Sequence, residues 1–253
     1  MRVTVLGCGG SFGVPTMVGG WGVCDPSNPK NRRRRVSILV EEGGTTLLVD
    51  TGPDLREQLI DAGVGHLDAV LYTHAHADHS HGLNDLRALA YRAGTPVEIY
   101  ADTLTLNDLK TSFGYAFQQD AAQLYRPIVR EHLIEGPFRV GAVAVAPFEQ
   151  DHGFGYKTLG FRFGPMAYST DVVELDEAAF EALKGIDVWI VDCLRYEPHP
   201  THAHFERTMD WIARVKPKRA VLTHMNQALD YEELRKRCPP GVEPGYDGLV
   251  IDL

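Results

Sequence analysis

Thiol chemistry is scarce in this 253-residue chain. Its four cysteines, Cys8, Cys24, Cys193 and Cys238, are scattered and form no CxxC pair. That argues against a thiolate-only metal site and against a disulfide framework, and it predicts reduced thiols in a cytoplasmic protein. No stretch approaches the roughly 18 apolar residues that span a membrane. The opening Met1-Arg2-Val3-Thr4-Val5-Leu6-Gly7 enters an alternating strand directly and reads as no signal peptide. Positive charge is also in deficit. Lys and Arg number 25 against 34 Asp and Glu, a formal net charge of -9. A general polyanion-binding surface, and with it a long nucleic acid partner, is therefore not expected. The remainder, 44% hydrophobic and 23% charged, is ordinary for a globular protein and enough for one large domain or two small ones.

Histidine, by contrast, is concentrated. Thr73-His74-Ala75-His76-Ala77-Asp78-His79 follows the apolar run Ala69-Val70-Leu71-Tyr72, which reads as a buried strand. Strand ends are where α/β proteins place their sites. Neutral imidazole and carboxylate bind zinc, manganese or iron. His74 and His76, two apart on an extended turn, can face one ion, and Asp78 and His79 follow closely enough for a second. The pattern predicts a two-metal site.

Upstream, Gly7-Cys8-Gly9-Gly10-Ser11-Phe12-Gly13-Val14-Pro15 predicts a tight backbone crossing near that site rather than a dinucleotide fingerprint, because no helix follows it. Residues 16–31 read as a long surface loop. Arg32-Arg33-Arg34-Arg35 reads as a solvated edge, or as the source of one arginine that holds an anionic substrate. Thr45 to Asp50 is a returning strand, and Asp54 is expected to cap a helix over 55–62. Asp50 is either a turn residue or a group that orients a ligand histidine. Helices are expected over 82–93 and from 103 to about 117, with strands over 97–101, 140–145 and 158–163. His152 lies in a polar loop between the last two. Three further apolar runs end in Asp171, Asp192 and His224. Polar residues at so many strand ends predict convergence on one rim, with Asp171 suited to bridge two ions.

The run His74-Ala-His76-Ala-Asp78-His79, with His152, Asp171 and His224 downstream in that order, resembles the metallo-β-lactamase-fold hydrolases. The resemblance extends from the Gly-rich opening to Tyr246-Asp247-Gly248. It implies an α/β fold, the four-layer αβ/βα sandwich, as a single hydrolase domain over residues 1–253. It further implies that His74, His76 and His152 hold one divalent ion, that Asp78, His79 and His224 hold the other, and that Asp171 bridges them. Mn2+ or Zn2+ would serve as cofactor. Many true β-lactamases carry a cysteine where Asp171 stands, so antibiotic hydrolysis is not expected.

Within the fold, the short interval from His152 to Asp171 leaves no room for the basic arm of tRNA 3′-end processing enzymes. Too little chain follows His224 for the helical domain of glyoxalase II-like thioesterases. The sequence is most similar to phosphoribosyl 1,2-cyclic phosphate phosphodiesterases, through Gly13-Val14-Pro15, Trp21-Gly22 and Leu222-Thr223-His224. That group can carry a distal structural zinc on cysteines after Trp-Gly. Here only Cys24 follows, and Gln227 stands where a further histidine is expected, so that zinc is expected to be absent.

The resemblance implies hydrolysis of a cyclic phosphate ester, phosphoribosyl 1,2-cyclic phosphate or a nucleoside 2′,3′-cyclic phosphate, by water activated between two metals. His202 resembles the family's non-ligand active-site histidine and is assigned as general acid or phosphate-binding group, with Asp78 as the other catalytic candidate. His199 and His204 are weaker candidates, and His81 is expected to face solvent at a helix start. The partner would be a small phosphorylated sugar or nucleotide, with no membrane, and a homodimer is the ordinary oligomeric expectation. Alternatives are a cofactor carrier on the same fold, as in pyrroloquinoline-quinone biosynthesis, and a hydrolase of another ester class.

Overall fold

The computed structural model describes residues 1–118 and 126–253. The N-terminal half supplies β1 (Arg2–Gly7), β2 (Ser37–Glu42), β3 (Thr45–Val49), α1 (Leu55–Asp61), β4 (Ala69–Leu71), α2 (Ala77–Ser80), α3 (Leu86–Ala93), β5 (Val97–Ala101), α4 (Thr103–Phe117) and β6 (Val129–Leu133). The second half continues with β7 (Phe138–Val140), β8 (Val143–Asp151), β9 (Lys157–Phe163), β10 (Met166–Ser169), α5 (Glu177–Ala182) and β11 (Val188–Asp192). It ends with α6 (Phe205–Val215), β12 (Arg219–Thr223), α7 (Tyr231–Arg237), β13 (Val242–Pro244) and β14 (Val250–Asp252). Two seven-stranded sheets result, ordered β14-β1-β2-β3-β4-β5-β6 and β13-β12-β11-β10-β9-β8-β7.

Both sheets are mixed in the same way. The first is antiparallel from β14 to β3 and parallel from β3 to β6. The second is antiparallel from β7 to β10 and parallel from β10 to β13. The period-two alternation of strands sorts their side chains into two cores. Ile38, Val40, Leu47, Val49 and Leu71 pack inward against Val145, Phe161, Phe163 and Ile190 of the second sheet. Their neighbours Leu39, Leu48, Val70 and Ile99 face Leu55, Leu59, Leu86, Leu106 and Leu109 of the outer helices. On the other sheet Ala179, Leu183, Trp211, Ile212 and Leu234 supply the helical cover. This is the αβ/βα sandwich expected from the sequence. No helix among the described residues is long and apolar enough to cross a membrane.

Four local expectations need correction. The strand expected over 140–145 is a hairpin, because Gly141 turns at φ 51° and a Cβ there would lie 2.2 Å from Thr45 Oγ1. The helix expected from residue 82 opens as a 3₁₀ turn, Leu83–Asp85, before α3. Asp54 stands at the N-cap of α1 but caps nothing: its carboxylate accepts from Arg35 N at 2.8 Å and pairs with the Arg35 guanidinium at 2.9 Å. His81 is exposed as expected, yet it closes α2 instead of opening a helix.

The arginine run is also different from a solvated edge. Arg34 pairs with Asp61, and Arg33 is only 2% exposed. Arg33 Nη1 donates to Asn226 O at 3.1 Å, and Nη2 donates to Leu229 O at 2.7 Å. It straps the segment after His224 to the start of β2. Arg33→Ala would strand these buried carbonyls, so a loss of about 2–4 kcal/mol is expected in urea unfolding. Arg33→Lys should recover only part of it, lacking the planar fork.

Candidate metal centre

The carboxyl ends of the parallel strands are where open α/β sheets bind ligands. Asp50 follows β3, His74 lies three residues beyond the end of β4, Asp171 follows β10, Asp192 ends β11 and His224 follows β12. Among the described residues, five non-glycine residues have positive φ. Three of them are Asp50 (64°), Asp171 (53°) and His224 (58°). The chain reverses sharply as each strand ends and turns the side chain into the gap between the sheets, a local strain of the kind found at functional sites. The Gly-rich turn crosses beside them. A Cβ on Gly10 would lie 3.3 Å from His224 O, so only glycine allows this approach without displacement.

All seven expected ligands come together in two groups. The donor atoms of His74, His76, His152 and Asp171 lie within 4.8 Å of one another, as do those of Asp78, His79, Asp171 and His224. Asp171 belongs to both, and its two oxygens divide between them. Oδ1 lies 3.8 Å from His74 Nε2 and 3.7 Å from His152 Nε2. Oδ2 lies 3.0 Å from His79 Nε2 and 3.4 Å from His224 Nε2.

Outer hydrogen bonds decide which ring nitrogen faces inward. Asp50 Oδ2 accepts from His79 Nδ1 at 2.8 Å and from Thr73 Oγ1 at 2.8 Å, while Oδ1 accepts from Thr73 N. Thr73 Oγ1 in turn accepts from His74 Nδ1 at 3.0 Å. His152 Nδ1 donates to Thr201 O at 2.7 Å. Each Nε2 is thereby turned towards the gap, the usual arrangement of metal-binding histidines. Of the two readings of Asp50, the geometry therefore bears out the orienting one. Asp50→Asn presents an amide where His79 needs an acceptor. Divalent-metal affinity should fall about 10- to 100-fold, measured by chelator competition, with the fold retained.

The donor set fits divalent cations. Asp78 Oδ2, His79 Nε2 and His224 Nε2 are buried and make no well-directed hydrogen bond. A tetrahedral ion with bonds of about 2.0–2.1 Å spaces its donors by roughly 3.3–3.4 Å. The contacts of 3.0–3.6 Å in the second group match this.

The electrostatics agree. Burial alone would depress His224, but Asp171, Asp78 and Asp192 outweigh it and raise its pKa to about 9. Burial likewise opposes the protonation of His79, yet the facing Asp171, Asp78 and Asp50 hold it well above its ordinary value. Asp171 is kept well below the usual carboxylate range against its burial, chiefly by His224 and His79. His74 and His152 are lowered, mainly by burial. Four carboxylates around the second group, Asp50, Asp78, Asp171 and Asp192, thus favour positive charge there, from protons or from cations that displace them.

His202, expected beside the site on resemblance, is buried between the two groups. Its ring stacks on His224 with centroids 4.6 Å apart and meets His152 edge-on at 4.8 Å. Its Nδ1 lies 3.2 Å from Asp192 Oδ2, which also accepts from Val172 N at 3.1 Å. Asp192 was visible in the sequence only as one more carboxylate at a strand end. The register pairing Asp192 with Thr223 sets it beside His224, and the chain to Thr201 brings His202 back over it. Tyr156, which the sequence did not single out, stacks on His76 at 5.0 Å and an interplanar angle of 9°. His199 lies further out, touching His202 at 5.2 Å, and His204 serves as the N-cap residue of α6. Arg33 and Arg34 are engaged elsewhere, as described, and Arg35 is held by Asp54.

Two opposed sheets with a histidine–aspartate cluster at their parallel ends define a class. A family model described as a β-lactamase superfamily domain matches residues 45–225, and the chain belongs to that superfamily. Among solved structures it is similar to a diphosphatase of the PhnP family. The identity is 35% and the TM-score 0.92, covering 100% of this chain and 97% of the other. Among curated proteins it is 33% identical to an octanoyltransferase of Porphyromonas gingivalis, over 100% of this chain and 52% of that protein. It is also 33% identical to a ribonuclease Z of Mycolicibacterium paratuberculosis, over 53% of this chain and 54% of that protein. The chain thus spans about half the length of these curated relatives.

Proposed function

We propose that this protein is a binuclear-metal-dependent phosphodiesterase that hydrolyses a cyclic phosphate ester of a sugar or nucleotide. The observation that carries the reading is the division of Asp171: one oxygen faces each of two separate donor groups. Binding alone, as in a cofactor carrier, calls for no such bridge. The similar PhnP-family and ribonuclease Z proteins support a phosphate ester as substrate. The name diphosphatase favours a second reading, in which the bond cleaved is a phosphoanhydride.

His74, His76, His152 and Asp171 Oδ1 would hold one cation, and Asp78, His79, His224 and Asp171 Oδ2 the other. When bound, two divalent cations supply Lewis-acid polarisation of the phosphoryl group and lower the pKa of the attacking water. Asp78 stands at the edge of the second group, where its carboxylate, held well below the usual range by His79 and His224 against its burial, can accept a hydrogen bond from the nucleophile and orient it. Asp192 holds His202 Nδ1–H, so Nε2 is free to exchange a proton. His202 then protonates the departing ribose oxygen, or binds the phosphate when the ester leaves unaided. Mn2+ and Zn2+ both suit a His/Asp donor set. With four unpaired cysteines, three of them buried, we place the protein in the reducing cytoplasm, acting as one domain on small substrates.

The test is turnover of ribose 1,2-cyclic phosphate, a nucleoside 2′,3′-cyclic phosphate and a dinucleoside diphosphate by manganese- or zinc-loaded protein. Cleavage of a cyclic ester supports the reading, and cleavage of the diphosphate alone selects the second. No cleavage of any of them, with two metals per chain measured, would sink both.

A further inference from the structure

We propose that Phe154, at the tip of the β8–β9 hairpin, is a stacking platform for the flat base of a nucleotide substrate, with Phe12 as a second wall on the His224 side. The inference rests on the phosphodiesterase reading and narrows its substrate to esters that carry a base.

Pairing of β8 with β9 ends at Asp151 and Lys157, which leaves residues 152–156 as the tip. Two bonds close it, His152 N to Tyr156 O at 2.9 Å and Tyr156 N to Gly153 O at 2.9 Å. Phe154 and Gly155, the central residues of the inner turn, have φ of 54° and 80°. Such a turn favours Gly, Asn or Asp at both positions, and a bulky aromatic residue there is an outlier. Phe154 recovers nothing by burial, since it is 89% exposed. Yet both ends of the tip are fixed to the metal centre. His152 is held by Thr201 O, and Tyr156 lies flat on His76. The fold therefore holds an apolar ring in a strained conformation, in water, at a set position beside the site.

Phe12 repeats the pattern on the other donor group. It lies in the turn closed by Gly13 N to Gly10 O at 2.8 Å and is 76% exposed. Gly10 anchors that turn against His224, where an added Cβ would lie 3.6 Å from the ring Cε1. The donor groups call for an anionic phosphate. The two exposed rings beside them call for a planar π-face, and base–aromatic stacking tolerates any base. One small molecule supplies both, a nucleoside phosphate ester. A base-free ribosyl cyclic phosphate would leave both rings in water.

The experiment is isothermal titration of adenosine 3′-monophosphate and of ribose 5-phosphate into metal-loaded and metal-free protein, paired with kcat and KM on adenosine 2′,3′-cyclic phosphate. Phe154→Ala should weaken adenosine 3′-monophosphate about 5- to 150-fold and raise KM in step, with kcat kept. Ribose 5-phosphate should change by less than about twofold, and Phe154→Trp should restore nucleotide affinity. Equal losses for both ligands, or none, would overturn the platform. So would a change in oligomeric state with unchanged nucleotide affinity, which would make Phe154 a protein contact. Failure of turnover with the binding difference intact would remove the phosphodiesterase reading and leave the platform standing.

Discussion

Asp171→Ala is expected to lower phosphodiester turnover by more than about a thousandfold, the scale of several kcal/mol that metal ions contribute to transition-state charge stabilisation. The reason is geometric. Among the described residues Asp171 is the carboxylate shared by both donor groups, so its loss is expected to uncouple them. It also leaves His79 and His224 without the carboxylate oxygen lying 3.0 and 3.4 Å from them. Metal content measured by plasma emission should fall below two ions per chain. Asp171→Asn keeps one carbonyl oxygen and should retain one ion more firmly than the alanine variant. A fully metallated, active Asp171→Ala protein would mean that the bridge is not needed.

His202→Ala should show a loss that depends on the leaving group. For a sugar or nucleoside ester, whose departing oxygen must be protonated, kcat should drop about 10²- to 10⁴-fold. For a nitrophenyl ester the departing phenolate is already stable, and the drop should be about tenfold or less. Asp192→Asn should move in the same direction by a smaller factor, because it disturbs the orientation of the His202 ring without removing it. A loss that is equal for both ester types would make His202 a phosphate-binding group instead of an acid.

Much of this candidate site is legible in the sequence, because sets of metal-binding side chains follow local patterns. Three histidines and an aspartate within six positions after a buried strand have few structural alternatives. His152, Asp171 and His224 carried less signal singly, and only their common place at strand ends made them a set. What the sequence hid depends on contacts between distant segments. Four consecutive arginines look solvated, and nothing local tells that carbonyls of Asn226 and Leu229 wait for Arg33. Asp54 has the right position for a cap, but Arg35 on the neighbouring loop competes for its carboxylate and wins. Gly141 is the local cue within 140–145, since a glycine inside an alternating run often marks a turn. The partnership of Asp192 with His202 needed the register of β11 against β12, which no periodicity gives.

The pairing of β1 bears on how such a chain acquires its shape. β1 lies between β2 and β14, with Val3 opposite Val40 on one side and Ile251 on the other. Its first neighbour follows within one loop, but its second is formed only after nearly all the other strands. During synthesis β1 therefore keeps a bare hydrogen-bonding edge until β14 emerges. Such an edge is a template for pairing with another nascent molecule. The charged Arg2 at the end of that edge disfavours such pairing, and once β14 arrives the same side chain pairs with Asp252 at 3.0 Å.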